Sequence, residues 1–304
     1  MIEVKELSKK FGDHWALKNN SWEVADKRAL GLLGPNGAGK STTMKIMTGL
    51  LCSTEGRVLI DGQDIFLNPI EAKKKIGFLP ETPPVYEDLS VSNYLDFICG
   101  LKSVPKKSRK AHVDLSIEKM SLEEVAFKKI GDLSKGFKQR VGIAQSLIGN
   151  PPILILDEPS VGLDPHQVYE LRNVIKALKS DHTIVLSTHV LSEVQQICDD
   201  VVIIDKGEIK TKGSLNQILT EMKGGIFLEM KVNSCNESLI ADLKKANGVV
   251  NVKVQGNTLE IYLKDSIDNL DGFAQLAIKN NCGLVSMQKH QTQLEDIFIE
   301  VTKG

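Results

Sequence analysis

Apolar positions along the chain follow two periods in turn. Short runs at "IEVKEL", "HWALKNNSWEV" and "RALGLLG" predict strands, and the spacing in "GKSTTMKIMTGLL" predicts a helix. "GRVLIDGQDI" reads as a hairpin turning at Asp61-Gly62, and "KIGFLP" as a further strand. Residues 90–148 then read as mostly helical: "SVSNYLDFICGL", "KSRKAHVDLSIEKM", "SLEEVAFKKI" and a fourth helix opened by "LSKGFKQR". Ser121 and Glu124 predict a capping box for the third of these, and Ser134 an N-cap for the fourth. Strand–helix alternation resumes with "PILILD", "PHQVYELRNVIKALKS" and "HTIVLST", followed by a hairpin in "VVIIDKGEIKTKG" at Lys206-Gly207. The unbroken apolar runs are those of strands covered on both faces of a parallel sheet. The expected fold class is α/β, with a mainly parallel sheet, an N-terminal antiparallel β part and a helical insertion over about 82–150.

Gly224-Gly225 reads as a linker, so the expected domains are 1–222 and 226–304. Beyond the linker the elements run strand "IFLEMKV", helix "ESLIADLKKAN", strands "VVNVKV" and "TLEIYLK", helix "IDNLDGFAQLAIKN" and strand "GLVSMQ". That βαββαβ order predicts a small α+β, ferredoxin-like domain. A last helix, "TQLEDIFIEVTK", opens on a capping box of Thr292 and Glu295. The region carries no phosphate loop and no cluster of acids, Cys or His, and reads as an interaction or dimerisation domain.

Composition changes this picture little. With 304 residues, 41% hydrophobic and 25% charged, the chain has the makings of one large or two ordinary globular domains. A net charge of −1 gives no bulk attraction for nucleic acid, and none is expected as a partner. Five cysteines (Cys52, Cys99, Cys198, Cys235 and Cys282) form no CxxC pair and read as reduced thiols of a cytosolic protein. The start "MIEVKELSKKFG" has no apolar signal core, and no run approaches the roughly 18 apolar residues of a membrane span. Any membrane role is therefore expected to come through a partner.

Chemistry concentrates in the first region. "GPNGAGKST", Gly34 to Thr42, matches GxxxxGK[ST] and falls between a predicted strand and helix, where a phosphate loop must sit. Successive backbone N–H groups there wrap a β-phosphate, and Gly37 and Gly39 allow an approach that a Cβ would obstruct. Lys40 reaches the β- and γ-phosphates, the Ser41 hydroxyl is a ligand for Mg²⁺, and the helix dipole favours the anion. "ILILDEP" ends a buried strand with two carboxylates: Asp157 to complete the Mg²⁺ site, Glu158 to take a proton from an attacking water. His189, just past "HTIVLST", falls on the strand edge where open α/β sheets bind ligands and reads as a γ-phosphate sensor. "LSKGFKQR" poses a puzzle: Ser134, Gly136, Lys138 and Arg140 at a helix start make a second anion site in a chain that already has one.

In this order, "GPNGAGKST", "LSKGFKQR", "ILILDEP", "SVGLD" and "STH" resemble the ATP-binding subunits of ABC transporters over roughly residues 1–220. The resemblance implies an ATPase that uses ATP and Mg²⁺ to drive a membrane permease, lying on the cytoplasmic face of the cell membrane. It implies that Phe11 stacks on adenine and that Gly34, Pro35, Asn36, Gly37, Ala38, Gly39, Lys40, Ser41 and Thr42 surround the phosphates and metal. Asp157 becomes the metal aspartate, Glu158 the catalytic base, His189 the switch histidine and Asp164 the residue that communicates between two ATP sites. Ser134, Lys135 and Gly136 would touch the γ-phosphate held by a second copy, which resolves the puzzle as a head-to-tail homodimer. A helix of the permease would dock near Glu81–Tyr86.

Two positions depart from the pattern. Glu81 stands where many family members have Gln, and as a hard oxygen donor it remains a ligand for Mg²⁺ or its water. The signature reads LSKGF rather than LSGGQ, so Lys135 and Phe137 differ. This variant, with "ETPPVYEDLSV", is similar to ABC-2-type export ATPases, among them drug-export, gliding-associated and copper-enzyme-maturation branches. The alternatives are a soluble ABC ATPase acting on ribosome or DNA, or a regulatory ATPase whose C-terminal domain binds an effector. One ATPase domain, no long heptad insertion and near-neutral charge weigh against the first, and no ligand motif supports the second.

Overall fold

The computed structural model describes residues 1–221, 226–263, 271–291 and 294–302. The chain divides into two compact units, Met1–Ser214 and Leu215–Gly304. This division precedes the linker expected at Gly224-Gly225, which lies outside the described residues, because helix α8 (Leu215–Glu221) groups with the second unit.

The first unit holds two sheets. The antiparallel one has the order β2-β1-β4-β5, from β1 (Ile2–Phe11), β2 (His14–Val24), β4 (Glu55–Ile60) and β5 (Gln63–Asp64). The other has the order β10-β9-β3-β8-β7-β6, from β3 (Ala29–Leu33), β6 (Ile76–Leu79), β7 (Ile153–Asp157), β8 (Thr183–Thr188), β9 (Asp200–Asp205) and β10 (Glu208–Ser214). It is parallel except where β10 turns back on β9. Every residue of β3, β7 and β8 is buried, as their continuous apolar runs require. Helix α1 (Lys40–Met47) contributes Met44, Ile46 and Met47 to the core, together with Ile2, Val4 and Ile60 of one sheet and Leu32, Ile155 and Val185 of the other. Both hairpins turn where expected: Asp61 and Gly62 have φ of 47° and 76°, Lys206 and Gly207 of 50° and 79°.

Helices α2 (Pro69–Lys74), α3 (Val91–Leu101), α4 (Lys106–Lys119), α5 (Lys135–Leu147), α6 (Pro165–Leu178) and α7 (Leu191–Ile197) complete this unit. The expected helix over "SLEEVAFKKI" does not form. Only a 3-10 turn at Glu123–Val125 and another at Ile130–Asp132 appear, and Ser121 has φ 51° and caps nothing. Tertiary pairing overrides the local pattern here. The Ala126 and Lys128 carbonyls accept from Ser92 and Val91 N–H at the start of α3, and Ile130 N–H donates to Leu89 O. Those backbone groups cap another helix rather than extending their own.

The second unit runs α8, β11 (Ile226–Val232), α9 (Glu237–Lys245), β12 (Val249–Gln255), β13 (Thr258–Leu263), α10 (Asp271–Lys279), β14 (Leu284–Gln291) and α11 (Leu294–Thr302). The antiparallel sheet order β12-β13-β11-β14 is that of a ferredoxin-like βαββαβ unit. Leu228, Met230, Leu259 and Ile261 of the sheet pack with Leu239, Leu243, Phe273 and Ala277 of the helices. Residues 267–270, expected to begin α10, and Thr292 of the expected last capping box lie outside the described residues. All five cysteines are free thiols.

Candidate functional site

Three adjacent parallel strands end on the same edge, and each end carries chemistry. β3 runs into the phosphate loop, β8 into His189 and β7 into Asp157 and Glu158. Register sets the pairing: Leu33 lies opposite Thr188, and Asp157 opposite Ser187. The Ser187 hydroxyl therefore donates to Asp157 Oδ1, and the same oxygen accepts from Ser41 Oγ at 3.3 Å. Glu158 N–H donates to Ser187 O at 3.0 Å, which holds Glu158 in left-handed backbone at φ 48°.

Gly39 caps α1 at φ 110°, and a Cβ there would come within 2.7 Å of Ala16 O. Only glycine satisfies both demands. Lys40 follows it with its side chain almost wholly buried. Its ammonium donates to Gly34 O at 2.8 Å and Pro35 O at 3.2 Å, and lies 3.3 Å from Glu158 Oε1. The other Glu158 oxygen is 2.9 Å from His189 Nδ1. Glu158 is thus buried between a fixed cation and an exposed imidazole, as a proton-accepting carboxylate facing a ligand would be. A pocket of about 400 Å³ opens here, lined by Asn36, Gly37, Gly39, Lys40, Ser41, Thr42, Glu81, Glu158 and His189. Ala16, which carries no sequence signal, and Val161 of "SVGLD", which is not among the expected site residues, also line it.

The structure brings Lys40, Ser41, Glu81, Asp157, Glu158 and His189 to one place and keeps Ser134, Gly136 and Asp164 in another. Those three line a separate pocket of about 590 Å³ with Phe137, Arg140, Gln167 and Glu170. Ser134 caps α5 by accepting from Phe137 N–H at 3.4 Å, and Asp164 caps α6 by accepting from Gln167 N–H at 2.9 Å. Lys135 is exposed on α5 and leans over Gly162, whose φ is 72°; a Cβ on Gly162 would lie 2.0 Å from the Lys135 ammonium nitrogen. Phe11 ends β1 with its ring 47% exposed and the Lys9 ammonium 5.0 Å from its centroid. It lies outside the lining of the phosphate-loop pocket.

Some working parts are long-range and leave no local pattern. Tyr94 on α3 donates to Pro84 O at 3.1 Å and to Gln145 Oε1 of α5 at 2.5 Å, tying the loop after Glu81 to the signature helix. Burial pushes its phenol up to about 12, so it stays a neutral donor. Glu193 on α7 accepts from Ser160 and Thr188, residues flanking the two halves of the site.

A phosphate loop at a strand-to-helix turn, a buried carboxylate pair and a histidine on one strand edge define a P-loop ATPase. The comparisons carry this further. The ABC transporter family pattern matches residues 17–161. ABC transporter ATP-binding protein YxlF of Bacillus subtilis (strain 168) is 31% identical over 301 residues, 99% of each chain. Linearmycin resistance ATP-binding protein LnrL of the same organism is 30% identical over 99% of this chain and 98% of its own. Bacitracin transport ATP-binding protein BcrA of Bacillus licheniformis is 29% identical over 100% and 98%. Among solved structures, an ATP-binding subunit of an ABC transporter superposes with TM-score 0.65 at 32% identity, over 72% of this chain and 91% of the other. The dimeric post-hydrolysis cassette MJ0796, bound to ADP and Pi, superposes with TM-score 0.64 at 28% identity, over 71% and 99%. The chain belongs to the ATP-binding proteins of ABC transporters, and it is an ATPase of that family.

Proposed function

We propose that two copies of this chain close head-to-tail around two ATP molecules and power a permease that exports its cargo. The observation that carries this reading is the separation of the two phosphate-binding features of one chain into two pockets. The signature residues Ser134, Lys135 and Gly136 then meet the γ-phosphate bound by the other copy's Lys40, with Asp164 beside them. A ligand that touches both copies only when closed is the differential contact a switch needs. The dimeric relative bound to ADP and Pi supports it.

Within one site, ATP phosphates displace the loop carbonyls as partners of Lys40. Water attacks the γ-phosphorus, the bond to the ADP oxygen breaks, and Glu158 takes the water's proton while His189 holds the carboxylate and the phosphate in line. The hard oxygens of Ser41 and Asp157, already converging at 3.3 Å, fit Mg²⁺, and Glu81 in the same pocket adds a carboxylate. Bound there, Mg²⁺ would neutralise charge on the phosphates. Phe11 would stack on adenine with the ring face that Lys9 leaves open.

Among the described residues no helix is long and apolar enough to cross a membrane. The chain would lie on the cytoplasmic face of the cell membrane, held there by the permease. The permease docks near Glu81–Tyr86. Tyr86 is 56% exposed, with its ring 5.5 Å from that of Phe97, and a separate groove of the same unit is lined by Leu50, Phe78 and Leu101 together with Lys73, Lys102 and Gln145. Residues 1–222 form the ATPase domain and 226–304 an accessory domain. A chain ending after residue 222 should stay folded by circular dichroism; aggregation would move the boundary.

Glu158→Gln is the test. It should bind ATP, lose turnover and form a dimer seen by light scattering, and an unchanged ATPase rate would remove the base assignment. Adding Ser134→Arg should abolish that dimer. ATP-driven closure in the double variant would refute the trans arrangement.

A further inference from the structure

Glu193 is a buried carboxylate that the hydrolysis scheme above does not use. It sits in the first turn of α7, yet it is only 2% exposed, and no basic side chain pairs with it among the described residues. An acid that merely favours a helix N-terminus gains nothing from such burial. Its two oxygens are instead committed elsewhere. Ser160 Oγ donates to Oε1, and Thr188 Oγ1 donates to Oε2 at 2.8 Å. The Thr188 hydroxyl oxygen in turn accepts from Val190 N–H at 3.0 Å, which leaves its proton directed at Glu193.

The positions of these two hydroxyls matter. Ser160 lies two residues after Glu158, and Thr188 immediately precedes His189. Glu158 and His189 themselves meet at 2.9 Å. One carboxylate thus bridges the segments that leave β7 and β8, beside the two residues that make that contact. Ser160 also begins the loop whose far end, Asp164, caps α6 and lines the second pocket.

We infer that Glu193 is a positioning residue for ATP hydrolysis: it fixes the Ser160–Asp164 loop to the His189 loop and so holds Glu158 and His189 in register. Through the same loop it joins the two pockets of one chain. The inference rests on the roles given above to Glu158 and His189. Small displacements of a reacting group cost large factors in rate, so a residue that touches no substrate can still govern turnover.

The test compares steady-state ATPase kinetics, binding of a fluorescent ATP analogue and the thermal midpoint across variants of the full chain. Glu193→Ala should lower kcat by about 10- to 100-fold while KM and analogue affinity stay within about threefold. Glu193→Gln, which keeps one acceptor oxygen, should recover part of the loss. In a His189→Ala background, Glu193→Ala should add less than about a twofold further loss, because what it sets is the position of Glu158 relative to the histidine. An unchanged kcat in Glu193→Ala overturns the inference, and so does a full additional loss in the His189→Ala background, which marks a structural role alone. If Glu193→Ala does not fold, Ser160→Ala removes one of its hydrogen bonds and Thr188→Val the other, together with the bond from Val190 N–H, and the two decide the matter: normal kcat in both overturns it. Glu158→Gln separates the two levels. Normal turnover there removes the base assignment, whereas loss there with normal turnover in Glu193→Ala removes only this inference.

Discussion

The two units of the chain differ in what they bury. The first buries Lys40, Asp157, Glu158, Ser187, Thr188 and Glu193 beside its apolar core, whereas among the described residues no buried polar or charged side chain falls in the second. The core of the second is apolar throughout, built from residues such as Leu228, Leu259 and Phe273. Burying a charge costs free energy unless it is paired or bonded, so a fold that tolerates several at one strand edge has a use for them. The second unit shows what packing alone looks like in the same chain.

The comparison can be broken by substitution. Lys40→Ala should reduce ATP turnover by on the order of 10²–10³-fold, with affinity also lost; near-normal values of both would mean that the buried charge is structural. Leu259→Ala in the C-terminal core should destabilise by about 2–5 kcal/mol in chemical denaturation and leave ATP binding unchanged. An equal loss of ATP binding would show that the two units do not act separately. A smaller effect is expected of Tyr94→Phe, which removes a bridge between the Glu81 loop and α5: about 1–2 kcal/mol of stability, with turnover lowered as well. The finest contrast sets two helix caps against each other. Ser134→Ala and Asn236→Ala each remove a side-chain cap and should each cost about 1 kcal/mol. Only the first should also slow hydrolysis, because in the proposed dimer only Ser134 would face the other copy's phosphate. Equal rates for the two would blunt the contrast.

What could be read from the sequence follows the range of the interactions. The phosphate loop, the acids ending β7 and the two hairpins are local: a turn residue or strand end announces them within a few positions. The stretch 121–130 misled because its helical pattern is real, but its carbonyls are taken by the start of α3, more than 25 residues earlier. Glu193 was illegible for a different reason. An acid in the first turn of a short helix is ordinary, and nothing near it in sequence announces Ser160, 33 residues away. Lys135 departs from the family signature, and the structure gives that departure a physical setting. Its ammonium lies where a Cβ on Gly162 would fall, but the exposed end of a lysine can swing aside, and it is the φ of 72° that favours glycine there.

The left-handed backbone at Glu158 has a practical side. A non-glycine residue at φ 48° carries a cost of about 1 kcal/mol that Gly or Asn would largely avoid. The strain is offset by pairing: Lys40 and His189 hold the Glu158 carboxylate, so Gly or Asn there would relax the backbone but leave the buried Lys40 ammonium without its carboxylate. Glu158→Gly should therefore lower the melting temperature rather than raise it, and a search for heat resistance along this strand edge should leave this position alone.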